Sequence, residues 1–231
     1  MLKIMTSPPA PRIAERPAPR RRQADRSADT RRRLLDATVT CLARHGYQGA
    51  TLAMIVAEAG VSRGAQVHHF GSRQQLMLEA AEDLFRQVYR DLGNVLLALP
   101  DPGGRLKQTV TGAWDQLFSG ERFLAYQALL TASHQDTELA AALATLLVRV
   151  RMQYEPAVDH YFAAAPGAVV KPRTVFVQLA CFLHGLAAQS HLAPDPALLR
   201  YQLEAYAQLM GSQLRVRKNV STRPPRAGPL A

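Results

Sequence analysis

Arg63, Gln66, His68 and His69 stand close together on one short segment, and each carries a hydrogen-bond donor suited to nucleic acid. Arginine matches the O6/N7 edge of guanine and glutamine the N6/N7 edge of adenine. Between them Gly64 and Ala65 are small enough to let a backbone approach a groove. The chemistry on offer is recognition and not bond making. The chain has no Gly-x-Ser-x-Gly elbow, no glycine-rich phosphate loop followed by lysine and no His-Glu-x-x-His helix, so an enzyme is disfavoured and no catalytic residue is assigned. His68 and His69 point about 100° apart on a helix and cannot chelate one ion together, while His184 and His191 lie two turns apart. Neither a metal nor a cofactor is expected.

The residues around this segment supply the elements that would present it. Thr51 can N-cap the apolar run Leu52, Ile55, Val56 and Ala59; Gly60 can take the positive φ that stops it; Ser62 can cap a second helix from Arg63 to Phe70. This is the grammar of a helix-turn-helix, whose second helix meets bases through its first residues. Upstream, Leu34, Leu35, Thr38, Cys41 and Leu42 form one stripe of an amphipathic helix over about residues 31–45. A three-helix head follows, with Val61, Val67 and Phe70 as partners of that stripe. Ser72 and Gln75 form a capping box, opening a long helix that runs through Leu76, Leu84, Val88, Leu92 and Val95 toward Leu99. Pro100, Pro102, Gly103 and Gly104 end it.

The run Arg33, Leu34, Leu35, Asp36, Ala37, Gly46, Tyr47, Thr51, Ile55, Ala59, Gly60, Val61, Ser62, Gly64, His69, Phe70, Ser72, Arg73 and Leu76 resembles the DNA-binding signature of the tetracycline-repressor (TetR/AcrR) family. The likeness covers roughly residues 30–80 and implies an all-α regulator, without specifying its effector. In two places the chain departs from the family pattern: His68 stands where a phosphate-touching tyrosine is most common, and Arg73 where lysine is. Arg73 keeps the charge, and His68 would donate to a phosphate more strongly when protonated. Arg63, Gln66 and His69 are then expected to read bases or nearby phosphates. Thr51, Ser62, His68 and Arg73 would fix the head on the DNA backbone.

Charge is distributed as this reading requires. Residues 1–78 hold 13 Lys/Arg against 5 Asp/Glu, residues 79–210 hold 10 against 13, and residues 211–231 hold 5 against none. A basic head on a near-neutral body suits a phosphate-binding module joined to another unit. Four segments are expected: a disordered Pro/Arg-rich arm (1–28), the helix-turn-helix domain (29–78), a helical effector-binding and dimerisation domain (79–213), and a disordered basic tail (214–231). The arm either solubilises the chain or follows phosphates and the minor groove; the tail more simply keeps the protein in solution. Cys41 and Cys181 read as small core residues. With no run approaching about 18 apolar residues and no secretory segment, a soluble cytoplasmic protein with no membrane partner is expected.

From Arg105 onward the helical period dominates. Leu106, Val110, Ala113, Trp114 and Leu117 share a stripe; Leu139, Leu143, Leu146, Leu147, Val150, Tyr154 and Val158 share another, with a kink or break expected near Tyr154 because of Pro156. Trp114, Phe118, Phe123, Tyr126, Met152 and Phe176, with polar tips on Gln127 and His184, form a set that either lines a cavity for an apolar or amphipathic small molecule or is ordinary core. Residues 175–188 are apolar almost all round, so both faces need covering. Gly185, Ala187 and Ala188 would allow close approach of a second copy. The family resemblance likewise implies a homodimer through the last two helices, bound to double-stranded DNA and controlled by a small-molecule effector, most simply as a repressor. The competing class is an architectural DNA-binding protein with a filled, ligand-free body.

Overall fold

A computed structural model describes residues 19–97, 104–218 and 220. The described residues are all-α apart from one pair of three-residue strands. Its elements are α1 (Pro19–Gly49), α2 (Leu52–Ala59), α3 (Arg63–Phe70), α4 (Arg73–Leu97), α5 (Arg105–Ala113), α6 (Glu121–Ser133), α7 (Thr137–Tyr161), β1 (Phe162–Ala164), α8 (Pro172–Leu192), α9 (Pro196–Gln213) and β2 (Leu214–Val216). A single π-helical turn, Trp114–Phe118, continues α5.

The head closes as its sequence dictates. Leu34, Leu35, Thr38, Cys41 and Leu42 all face inward, and Ile55, Ala59, Phe70, Leu76 and Met77 cover them. Thr51 caps α2 by accepting the Met54 N–H at 3.3 Å, and Ser62 caps α3 by accepting the Ala65 N–H at 3.3 Å. Ser72 accepts the Gln75 N–H at 3.1 Å at the start of α4. Gly60 sits at φ 60°, ψ 41° and returns its N–H to α2. Arg33 reaches from α1 to donate to the Gly60 carbonyl at 3.0 Å, so the turn between α2 and α3 is tied to the helix behind it.

α1 packs along α6 more extensively than any other pair of elements pack, and it also meets α2 and α4. Head and body therefore share a helix. α4 carries the connection onward by packing on α5 and α7, and α5 packs on α9. The strands pair antiparallel, Phe162 with Val216 and Ala164 with Leu214, closing the end of the body where α7 and α9 stop.

Several expectations are corrected. α1 begins at Pro19, inside the segment expected to be disordered to Ala28. Proline suits the first turn of a helix, and Arg, Gln and Ala propagate one without an apolar stripe. The rest of the arm, residues 1–18, lies outside the described residues, as do 98–103 and 221–231. The tail does not begin disordered at Leu214, since that residue is buried and opens β2. α7 runs through Pro156 to Tyr161 without a break; tertiary packing of Val150, Val158 and Tyr161 outweighs the lost N–H. Cys41 is buried but Cys181 is exposed on α8. α8 is by length and composition apolar enough to cross a membrane, yet here it packs on α7 and α9.

A Cβ at Gly60 would lie 2.8 Å from Arg33 Nη2 and would hold a left-handed φ. Gly60→Ala should therefore cost about 1–2 kcal/mol, read as a fall of several degrees in the thermal midpoint. The same variant should lose DNA retention, because the displaced Arg33 no longer fixes the turn.

Candidate nucleic-acid interface

The first turn of α3 is exposed. Ser62, Arg63 and Gly64 are exposed, and so are Val67 and His68 one turn on. Spacing explains this face: Arg63 and Val67 stand four apart on one side, Gln66 and Phe70 four apart on the other. Phe70 is a core residue and takes Gln66 inward with it; both are buried. Gln66 is wholly enclosed, with Nε2 and Oε1 lacking hydrogen-bond partners. It does not present its amide to a groove, and the expected adenine reader is corrected. Its place is taken by Val67, expected in the core but 57% exposed. A valine at that position is suited to a thymine methyl group. The signal was present in the sequence, since Phe70 has to be core and fixes the phase of the whole helix.

Arg73 also departs from its expected role. Its Nε donates to the Ala50 carbonyl at 3.1 Å, its Nη2 to the Tyr47 carbonyl, and the guanidinium lies 4.5 Å from the Tyr47 ring centroid. Both carbonyls follow the break that Gly46, at φ 68°, makes in α1, so the bonds join α4 to the α1–α2 corner and Arg73 positions the head from within. Arg31 works similarly, pairing with Glu79 and lying 5.2 Å from the Phe70 ring centroid. Thr51 and Ser62 are exposed at helix starts, each leaving unpaired N–H groups of its helix directed outward, as phosphate binding needs. His69 is half-buried beside His68, ring centroids 5.2 Å apart. Burial first, then the nearby His68 and Arg31, pull its pKa below the ordinary imidazole value.

Within the body the expected pocket residues divide into separate groups. Phe123 and Tyr126 meet His184 edge-on, with centroids 5.4 and 5.9 Å away, Phe118 lies 6.2 Å from Phe123, and Phe85 of α4 stands 5.2 Å from Tyr126. Trp114 is buried in the adjoining π-helical turn. Phe176 belongs elsewhere, 5.1 Å from Phe162. Met152 is 55% exposed on α7 and lines nothing with the others; four residues before Pro156, it lies on the outer side of the helix. Gln127 faces an open groove of about 930 Å³ between the end of α1, α6 and the start of α7, with its Oε1 buried and unpartnered. Beside Tyr126 an enclosed void measures only about 10 Å³.

Burial lowers the His184 pKa. For a base whose folded pKa lies below its unfolded value of about 6.5, the stabilisation is complete above that value and is lost as pH falls through it. The thermal midpoint should therefore drop between about pH 7.5 and 5.5. His184→Phe, which keeps the ring contacts, should make that drop smaller; an unchanged pH profile would show that His184 does not sense protons.

Comparison with known proteins agrees with this geometry. Residues 34–80 match the family model of bacterial regulatory proteins, tetR family. The chain is 31% identical over 136 residues to the HTH-type transcriptional regulator CymR of Pseudomonas putida, across 59% of this chain and 66% of that protein. It is 32% identical over 123 residues to the HTH-type transcriptional regulator BetI of Agrobacterium fabrum, across 52% and 59%. These matches span less than two thirds of either relative. A regulator from Saccharomonospora viridis, crystallised in complex with choline, shares the fold, with TM-score 0.60 at 17% identity over 83% of this chain and all of the other. Residues 34–80 thus carry the helix-turn-helix head of the tetR family of bacterial regulatory proteins, on a body that has the fold of solved regulators.

Proposed function

We propose that the protein is a cytoplasmic homodimer that binds a specific double-stranded DNA operator and represses transcription until a small apolar or amphipathic ligand releases it. The observation that carries this reading is the outward face of α3. There Arg63, Gly64, Val67 and His68 are exposed on a helix capped by Ser62 and braced from behind by Arg33 and Arg73. Arg63 contacts a guanine edge, Val67 a thymine methyl, and His68 and the starts of α2 and α3 the phosphates.

Dimerisation is supported by apolar side chains left uncovered on the last two helices. Val177 and Leu192 of α8 are 41% and 85% exposed, and Leu198, Tyr201 and Leu209 of α9 are 52%, 67% and 65% exposed. A second copy on this face would cover them and set two α3 helices about 35 Å apart, one DNA turn. Control by a ligand is supported by the shared helix: any shift of α6 acts directly on α1, and Arg44 on α1 faces both Glu58 of α2, at 3.8 Å, and Glu121 of α6, at 3.4 Å. The ligand has only to bind one arrangement more tightly than the other. The choline held by the Saccharomonospora viridis protein is in keeping with a small organic effector.

A second reading, an architectural protein without a ligand, draws on the ring-to-ring packing of Phe118, Phe123, Tyr126 and His184, which leaves space for about one water beside Tyr126. A specific-to-nonspecific affinity ratio near one would favour it.

Arg63→Ala should weaken operator binding by about 1–3 kcal/mol and relax preference at one base pair. Loss at all sequences equally would reduce Arg63 to a phosphate contact. Leu209→Glu combined with Tyr201→Asp should yield a monomer by light scattering with intact helicity and weakened operator binding; a persistent dimer would place the interface elsewhere. A ligand that raises the thermal midpoint should also lower operator affinity.

A further inference from the structure

At the start of α5 the body buries a positive charge that nothing in the described chain answers. Arg105 is the first residue of that helix and is 7% exposed. Its Nε and Nη1 are enclosed and have no hydrogen-bond partner. The Tyr161 ring lies over it, with its centroid 5.4 Å from the guanidinium carbon. Burying a guanidinium without a counter-ion is costly, and a ring face offsets only part of that cost.

Carboxylates on α4, α7 and α9 have other partners, and Asp115 of the π-helical turn is exposed. Glu204 of α9 takes Lys107 at 2.8 Å. On α4, Glu79 pairs with Arg31, Glu82 with Arg86, Asp83 with Arg32 and Asp91 with Arg122. On α7, Glu155 and Asp159 pair with Arg173. The helix start itself adds to the imbalance: Gly104 at the N-cap offers no side-chain acceptor to the first N–H groups of α5, and the positive end of the helix dipole coincides with the guanidinium. Beyond Tyr161 the packing is aromatic, with Phe162 and then Phe176 at centroid separations of 6.5 and 5.1 Å.

We infer that Arg105 and the uncapped start of α5 bind the carboxylate of a small organic acid, whose apolar part packs against Tyr161 and its aromatic neighbours. Charge, unpaired donors and helix dipole all select an anion, and the rings select an apolar body. The inference rests on the effector reading of the body and names the chemical class of that effector. It also assigns Phe176 to the site without the cluster around His184.

The test uses the full chain and three monocarboxylates of graded shape, benzoate, phenylacetate and octanoate, each beside its neutral amide and beside inorganic phosphate. Thermal unfolding and calorimetric titration are run on the wild type and on Arg105→Met, Arg105→Lys and Asp101→Asn. At about 100 times its dissociation constant at least one carboxylate should raise the wild-type midpoint by roughly 5 °C or more, while its amide does not. Arg105→Met should abolish the response and Arg105→Lys should weaken it. The assignment is overturned if no carboxylate exceeds its amide, if Arg105→Met responds like the wild type, or if phosphate does as well as the best carboxylate. It is equally overturned if Asp101→Asn, a change four residues before Arg105 in the sequence, destabilises the protein while every carboxylate is silent. Operator retention measured on the same samples separates the two readings. An Arg105-dependent response that leaves DNA binding unchanged keeps the site and removes its role as an effector switch.

Discussion

One helix has to be covered from two sides, and the rest of the molecule is arranged around that need. α1 buries Leu34, Leu35, Thr38, Cys41 and Leu42, against α2, α3 and α4 of the head on one side and α6 of the body on the other. Because interiors pack at crystal-like density, such a helix cannot shift against one neighbour without disturbing the other. This gives the recognition helix a mechanical link to the body. The polar member of the stripe, Thr38, is accommodated because its hydroxyl donates to the Leu34 carbonyl at 2.7 Å, within the helix itself.

In the head, positive charge does two jobs that sequence position alone does not separate. Arg31, Arg33 and Arg73 are spent inward, on Glu79, on the Gly60 carbonyl and on the Tyr47 and Ala50 carbonyls. Arg63 is left outward. An arginine bonded to protein carbonyls or carboxylates fixes geometry, whereas Arg63, with its side chain in water, is open to a ligand. The enclosed amide of Gln66 runs against this economy. Leaving a buried amide unpaired costs about 1–3 kcal/mol, and α3 carries that cost because the phase that exposes Arg63 also exposes Val67 and turns Gln66 under the helix.

The body follows a different rule. Its aromatic residues pack edge to face in one cluster around His184 and in another around Phe162, and its surface carboxylates are mostly matched to arginines. Exposed pairs of this kind add little stability, but they keep the helix faces distinct. What stays unmatched is informative: the uncovered apolar side chains of α8 and α9 on the outside, and Arg105 on the inside.

The sequence by itself determined the boundaries of α2 and α3 and the start of α4, because caps and stops are local: Thr51, Gly60, Ser62 and Ser72 act through bonds to residues three or four positions away. The helical character of the body was equally legible in its period, and the basic head in its charge count. Tertiary structure alone decided which side of each helix counts. Gln66 and Val67 exchange roles because Phe70 sets the phase, Arg73 turns to the Tyr47 carbonyl because α4 passes behind α1, and Met152 and Phe176 part from the other pocket residues because long-range packing separates them. The same is true of the early start of α1 and of β2, whose strand exists only through Phe162 and its neighbours more than fifty residues away. Local chemistry specifies where a helix begins and ends; the orientation of its faces is settled only when all of them must be buried together.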